Sequence, residues 1–252
     1  MPLTGFLELF DVNKPVIGVL HGRGESDNEI LHVACKEAEV YAQAGVDALL
    51  VENYFCQPQQ AEKILSCVRG SFDSLRIGVN ILNNDVLNFK LAQEYGCDFL
   101  QIDSVCGHLS VTDDEAFEQF IALQRETCPA KLIGGVRFKY QPFLSGRSLA
   151  EDLIIGKLRC DAIAVTGSAT GEETSLAKIM DFKEILKRFP LVVAAGITPQ
   201  NAQAQLTYGD ACIVGSYFKE NHDVKEAVDF LNVQKFMTTI KEVRAREEKV
   251  VR

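Results

Sequence analysis

Lys14-Pro15-Val16-Ile17-Gly18-Val19-Leu20-His21 is a short apolar run that ends in an ionisable residue, and the pattern recurs along the chain. The later runs are DALLVEN (47–53), RIGVN (76–80), FLQID (99–103), LIGGVRFK (132–139), DAIAVTG (161–167), LVVAAG (191–196) and ACIVG (211–215). Each is long enough for a buried strand, and helical patterning follows nearly every one. Apolar residues Ile30, Val33, Ala34, Ala38 and Tyr41 sit at helical spacing after the first run, and Gly45 closes that helix. Strands are expected at 15–20, 48–51, 76–81, 99–102, 131–138, 162–165, 191–195 and 211–214. Eight strand-helix units imply a closed (β/α)8 barrel, in which chemistry is carried at the carboxyl ends of the strands.

The 252 residues match one such domain and leave no room for a second large one. A single domain over 1–252 is therefore expected. Phe6, Leu7, Leu9 and Phe10 suggest that residues 1–14 plug the barrel from below. Residues 224–252 read as a C-terminal helix, with Val228, Leu231, Phe236, Ile240 and Val243 on its packed side. The net charge of −9 argues against a nucleic-acid or anionic-membrane surface, which needs clustered Lys and Arg. No apolar run reaches the roughly 20 residues of a membrane span, and the first residues lack the pattern of a signal peptide. The eight cysteines are scattered with no CxxC spacing, which fits reduced thiols in a cytoplasmic chain. Cys56 and Cys106 lie beyond strands on the functional side and are the two worth following.

Side chains alternate along a strand, so a polar residue two positions after a buried one shares its direction. By that rule His21, Glu52, Asn80, Asp103, Arg137 and Lys139 converge on one mouth. Buried charges are costly unless paired or used, so such a ring points to a site. His21, Glu52 and Asp103 could exchange protons, or could hold a divalent metal. Lys139 could form a Schiff base, although pairing with Glu52 or Asp103 is the simpler expectation.

The remaining strand ends differ in kind. Thr166, Gly167, Ser168 and Gly171 follow the sixth run, Gly196 and Thr198 the seventh, and Gly215 and Ser216 the eighth. Glycine lets backbone N–H groups approach an anion, and barrels commonly bind phosphate in the loops after strands 7 and 8.

These segments, together with Val51-Glu52-Asn53, Gly78-Val79-Asn80-Ile81-Leu82, Asn84-Asp85, Val111-Thr112-Asp113 and Gly196-Ile197-Thr198-Pro199, resemble the BtpA/SgcQ family of TIM-barrel proteins. The resemblance covers residues 14 to about 219. It implies a barrel related to phosphate-binding TIM enzymes, a photosystem I biogenesis role in one branch and a sugar-metabolism setting in another. The chain departs from the family at Gly22-Arg23-Gly24-Glu25, where a proline-rich segment is usual. It departs again at Gly135 and Arg137, where Asp and His are usual, and at Asp103 in place of Asn.

The expectation is an enzyme acting on a small phosphorylated, sugar-like metabolite. Isomerase or epimerase chemistry needs one acid, one base and stabilisation of an enediolate, and lyase or hydrolase chemistry uses overlapping parts. The alternative is a non-catalytic biogenesis or regulatory factor of the photosystem I type. Symmetric assembly is the common default, so a homo-oligomer is expected.

Overall fold

A computed structural model describes residues 5–72 and 75–251. Eight parallel strands close into a barrel in chain order. They are β1 (Val16–Leu20), β2 (Ala48–Glu52), β3 (Arg76–Asn80), β4 (Phe99–Cys106), β5 (Lys131–Val136), β6 (Ala162–Val165), β7 (Leu191–Val193) and β8 (Ala211–Val214). The helices α1 (Asp27–Ala44), α2 (Pro58–Ser71), α3 (Asp85–Glu94), α4 (Val111–Thr127), α5 (Leu149–Arg159), α6 (Leu176–Leu186), α7 (Ala202–Leu206) and α8 (Phe230–Val251) alternate with them. The molecule is a (β/α)8 TIM barrel.

Strand alternation divides the core in two. Leu49, Val51, Leu100, Ile102, Ile163 and Val165 face the helices, whereas Ile17, Val19, Leu50, Phe99, Ala164 and Ile213 fill the barrel interior. Small inward residues make room for large ones: a Cβ on Gly78 would lie 2.2 Å from the Phe99 ring. Phe6, fully buried in a 3-10 turn, meets Phe99 edge-on at 5.9 Å from beneath. Residues 1–4 of the expected plug, and Arg252 at the far end, lie outside the described residues.

The base is held by a repeated clamp. Asp47, Asp98, Asp161 and Asp210 each stand one residue before an even-numbered strand. Their carboxylates accept N–H bonds from Val16, Ile77, Leu132 and Leu191 on the preceding odd strand, at 2.8–2.9 Å. Their own N–H groups donate to the carbonyls of those same four residues, at 2.7–3.1 Å. Every carboxylate also meets a cation: Arg244 at Asp47, Arg69 and Arg76 at Asp98, Arg125 at Asp161, and Lys183 at Asp210.

Several boundaries differ from the sequence reading. β4 runs on to Cys106 through a register shift between Ile102 and Cys106. β5 stops at Val136 rather than 138, because Arg137 takes a left-handed φ of 48° that ends the extended chain. β7 ends at Val193 rather than 195. α8 begins at Phe230, not at 224, because Val228 is occupied in an antiparallel bridge to Lys219 and donates its N–H to Glu37 at 3.3 Å.

Removing one clamp leaves a strand N–H and a largely buried Arg without their partner. Asp161→Ala should cost about 2–4 kcal/mol in urea unfolding. Asp27→Ala, which removes the exposed pair with Lys63, should cost far less. Equal losses would show that the clamp carries no special weight.

Candidate active site

The carboxyl ends of the strands enclose a pocket of about 290 Å³. His21 on the exit of β1, Glu52 on β2, and Gln101 and Asp103 on β4 line one side. Lys139 enters from the loop after β5. Asn80 on β3 is buried beside Asp103, donating to its Oδ1 at 3.2 Å, and Gln101 Nε2 donates to the same oxygen at 3.0 Å.

Burial sets the proton affinities of this side. The Glu52 carboxyl is pushed up to about 8, chiefly by burial and next by the negative charge of Asp103, with Lys139 offsetting part of the rise. His21 is held well below its usual range, first by burial and then by Lys219 and Lys139. Its imidazole is therefore neutral near pH 7, while Glu52 keeps its proton. Asp85, in the first turn of α3, is raised to about 6 by burial and by Asp103. The pocket thus holds a proton donor and a neutral ring that can accept a proton.

Of the other predicted residues on this side, Arg137 is elsewhere. Its left-handed backbone turns the side chain out of the barrel, where Nε and Nη2 each donate to buried Asp152 at 3.1 Å. Phe138 takes the interior position in its place. Crowding explains the break, since a Cβ at Gly135 would already lie 2.0 Å from the Asp103 carbonyl oxygen. Lys139 makes neither expected ion pair. Its Nζ donates to Thr170 Oγ1 at 3.2 Å, where Tyr54 Oη at 3.3 Å and Tyr140 Oη at 3.4 Å also meet.

The His21, Glu52 and Asp103 metal set is not assembled: among the described residues no three His, Cys, Asp or Glu side chains gather around one point. The two cysteines of interest are also set aside. Burial pushes Cys56 up to about 11 and Cys106 to about 12, so both remain thiols, and Cys106 sits beneath α5 against Asp152.

On the opposite side, Gly171, Gly196, Gly215 and Ser216 line the pocket. Among the described residues none of their backbone N–H groups donates to a protein acceptor. Gly171 and Gly196 have φ of 78° and 62°, and a Cβ on Gly196 would lie 2.3 Å from the Glu172 carbonyl carbon. Gly215 lies against the His21 ring, where a Cβ would come within 3.2 Å of Cε1. The other four predicted anion ligands do not reach the pocket. Thr166 is fully buried, its Oγ1 taking the Lys139 N–H at 2.9 Å. A Cβ on Gly167 would come within 2.8 Å of the Glu172 carbonyl oxygen, and Ser168 bonds to the Glu172 carboxylate. Thr198 donates its N–H to Asn201 Oδ1 at 2.8 Å within a turn.

Gln101, Tyr54 and Tyr140 escaped the sequence reading. Gln101 was legible, because it lies two residues before Asp103 on one strand. The two tyrosines sit on loops, where no periodicity fixes direction.

A closed barrel with a polar pocket at its carboxyl end places the chain among the TIM-barrel proteins. The BtpA family profile matches residues 12–242, and the chain belongs to that family. An uncharacterised protein of Pyrococcus abyssi is 29% identical over 92% of this chain and 98% of its own length. The photosystem I biogenesis protein BtpA of Synechocystis is 24% identical over 93% of this chain and 91% of its own length. Similar solved structures include (S)-3-O-geranylgeranylglyceryl phosphate synthase from Thermoplasma acidophilum in complex with its substrate sn-glycerol-1-phosphate. Its TM-score is 0.65 at 14% identity, over 96% of this chain and 99% of that one. Phosphoribosyl anthranilate isomerase from Thermus thermophilus has a TM-score of 0.60 at 14% identity, over 91% of this chain and 100% of that one. Among the described residues no helix is long and apolar enough to cross a membrane.

The raised Glu52 pKa has a consequence for stability. The folded chain keeps this proton up to about pH 8, whereas the unfolded chain releases it near the ordinary 4.5. Between those values the folded state binds more protons, so the Glu52 contribution to stability falls as pH rises. Glu52→Gln carries no charge to lose. Its stability relative to the parent should climb steadily across that window in urea unfolding, and a pH-independent difference would contradict the assignment.

Proposed function

We propose that this chain is an enzyme acting on a small phosphorylated, sugar-like metabolite by acid–base chemistry of the isomerase or epimerase type. One observation carries the reading: a single pocket opposes the protonated Glu52 and neutral His21 to the unpartnered backbone N–H groups of Gly171, Gly196, Gly215 and Ser216. The glycine side suits a phosphate, since N–H groups supply directed donors without the strong solvation of a cation. The opposite side suits a carbonyl and the carbon beside it. In an aldose–ketose shift one proton leaves that carbon and another reaches the carbonyl oxygen. The neutral imidazole of His21 accepts the first and Glu52 donates the second, giving an enediol; the imidazolium then returns a proton to the former carbonyl carbon while the Glu52 carboxylate takes the proton of the adjacent hydroxyl.

Phosphorylated ligands are named for both similar solved structures above, but at 14% identity these share the fold alone, so the reading rests on the pocket. A non-catalytic binding role, which would fit a biogenesis protein such as the Synechocystis relative, gives no account of a carboxyl held protonated in the same pocket as a neutral imidazole.

Incubation with triose to hexose phosphates in D2O, followed by NMR, tests proton abstraction without prior choice of product. Deuterium should enter carbon positions of one substrate, with competitive inhibition by inorganic phosphate. Glu52→Gln should slow exchange by about 10²–10⁴-fold. Exchange by the parent should decline as pH rises through about 8, as Glu52 loses its proton. Full exchange in both Glu52→Gln and Asp103→Asn would remove the assignment, and no exchange with any sugar phosphate would favour the binding role.

A further inference from the structure

We infer that Lys139 and Tyr54 form an oxyanion-binding corner that completes the backbone N–H site at Gly171 and Ser216, so that the bound phosphoryl group meets a side-chain cation as well as main chain; this rests on the reading of the pocket as a phosphorylated-metabolite site. Three groups surround Thr170 Oγ1: Lys139 Nζ at 3.2 Å, Tyr54 Oη at 3.3 Å and Tyr140 Oη at 3.4 Å. The ammonium can only donate. Tyr140, whose own oxygen takes the Thr170 N–H at 2.9 Å, donates as well. Those two donations fill both lone pairs of a hydroxyl oxygen, which leaves the Thr170 proton for Tyr54. Tyr54 Oη therefore accepts, and its own O–H has no acceptor among the described residues. Lys139 spends one of its three N–H bonds on that neutral hydroxyl and otherwise meets only the Tyr140 ring, 6.0 Å from its centroid. The corner thus carries a full positive charge and more donors than acceptors, and what it lacks is an anion.

The corner adjoins the glycine side of the pocket. Thr170 directly precedes Gly171, and consecutive Cα atoms lie roughly 3.8 Å apart. A Cβ on Gly171 would in turn lie 3.3 Å from Ser216 Oγ, so the unpartnered N–H groups of Gly171 and Ser216 share one side with the hydroxyl cluster. Tyr54, Thr170 and Lys139 all line the pocket, and Lys139 is the one Lys or Arg among the described residues that line it. Backbone N–H groups orient an anion but bring no net charge, and Lys139 supplies it. The carboxylates of the pocket do not take this role, since Lys139 forms no ion pair with either and Asp103 Oδ1 already receives Asn80 and Gln101.

Methyl phosphate, a monoester without sugar hydroxyls, isolates the corner in a 31P NMR titration. Lys139→Met should weaken its binding by about 10–100-fold, the loss of one charge-assisted hydrogen bond, and Lys139→Arg should restore most of it. Tyr54→Phe should weaken binding by about 3–10-fold. Should Lys139→Met not fold, Tyr54→Phe, which removes a single oxygen atom, decides alone. Parent-like binding in both Lys139→Met and Tyr54→Phe overturns the corner while keeping the glycine grip on phosphate. A stoichiometric mass gain on Lys139 after borohydride reduction with dihydroxyacetone phosphate also overturns it, because the residue would then be an imine-forming amine that loses water with the carbonyl. If methyl phosphate does not bind but acetate binds and is lost in Lys139→Met, the oxyanion corner stands and the phosphate reading fails. If neither anion binds the parent, both fall.

Discussion

The structure depends on four aspartates at the base of the barrel. Asp47, Asp98, Asp161 and Asp210 each hold one residue of the neighbouring strand by both its N–H and its carbonyl, so each clamp fixes a parallel register that a βα unit alone leaves free to slip. A cation completes each clamp, from α8 at Asp47, from α2 and β3 at Asp98, from α4 at Asp161 and from α6 at Asp210, so strand order and helix docking are set by the same contacts. A one-residue slip would turn Glu52 and Asp103 outward and bury their neighbours in the pocket. The chemistry at the top therefore inherits its aim from charge pairs at the bottom.

With the base fixed, the mouth can hold groups that oppose stability. Glu52 is half-buried with no ion pair among the described residues, and Asn80 and Gln101 leave acceptors unmet. Between the loop after β5, α4 and α5 lies a second ionic cluster whose charges are each met by an opposite one. Asp152 takes Arg137 and Ser145, while Asp114 takes Arg147 and Arg159 at 2.7 Å each. The contrast separates two uses of buried charge. The paired cluster ties the loop after β5 to α4 and α5, whereas Glu52 and Gln101 face the space a ligand would fill.

Much of this was legible in the sequence. The eight apolar runs gave the strands, and Gly45 marked the end of α1 through its freedom to take a left-handed φ. Alternation was sound for His21, Glu52, Asn80 and Asp103 because they lie within or just past regular strands. It failed at Arg137, where a left-handed residue reversed the direction that alternation assigns. Among the glycine-rich loops the sequence showed flexible backbone but not its orientation: Gly167 is spent on packing while Gly171, four residues on, faces the pocket. The aspartates before β2, β4, β6 and β8 were visible as letters, yet their role rests on a partner about 20–30 residues away that no local pattern marks.

Phe6 and Phe99 stop the barrel from below, and Phe138 joins the same interior cluster nearer the mouth. The pocket is accordingly a blind vessel with one opening, and Thr170 stands at that opening in contact with the loops after β2 and β5. Whatever enters must leave backwards along its own path. Entry and exit then share one path, past the hydroxyl contacts that Thr170 makes.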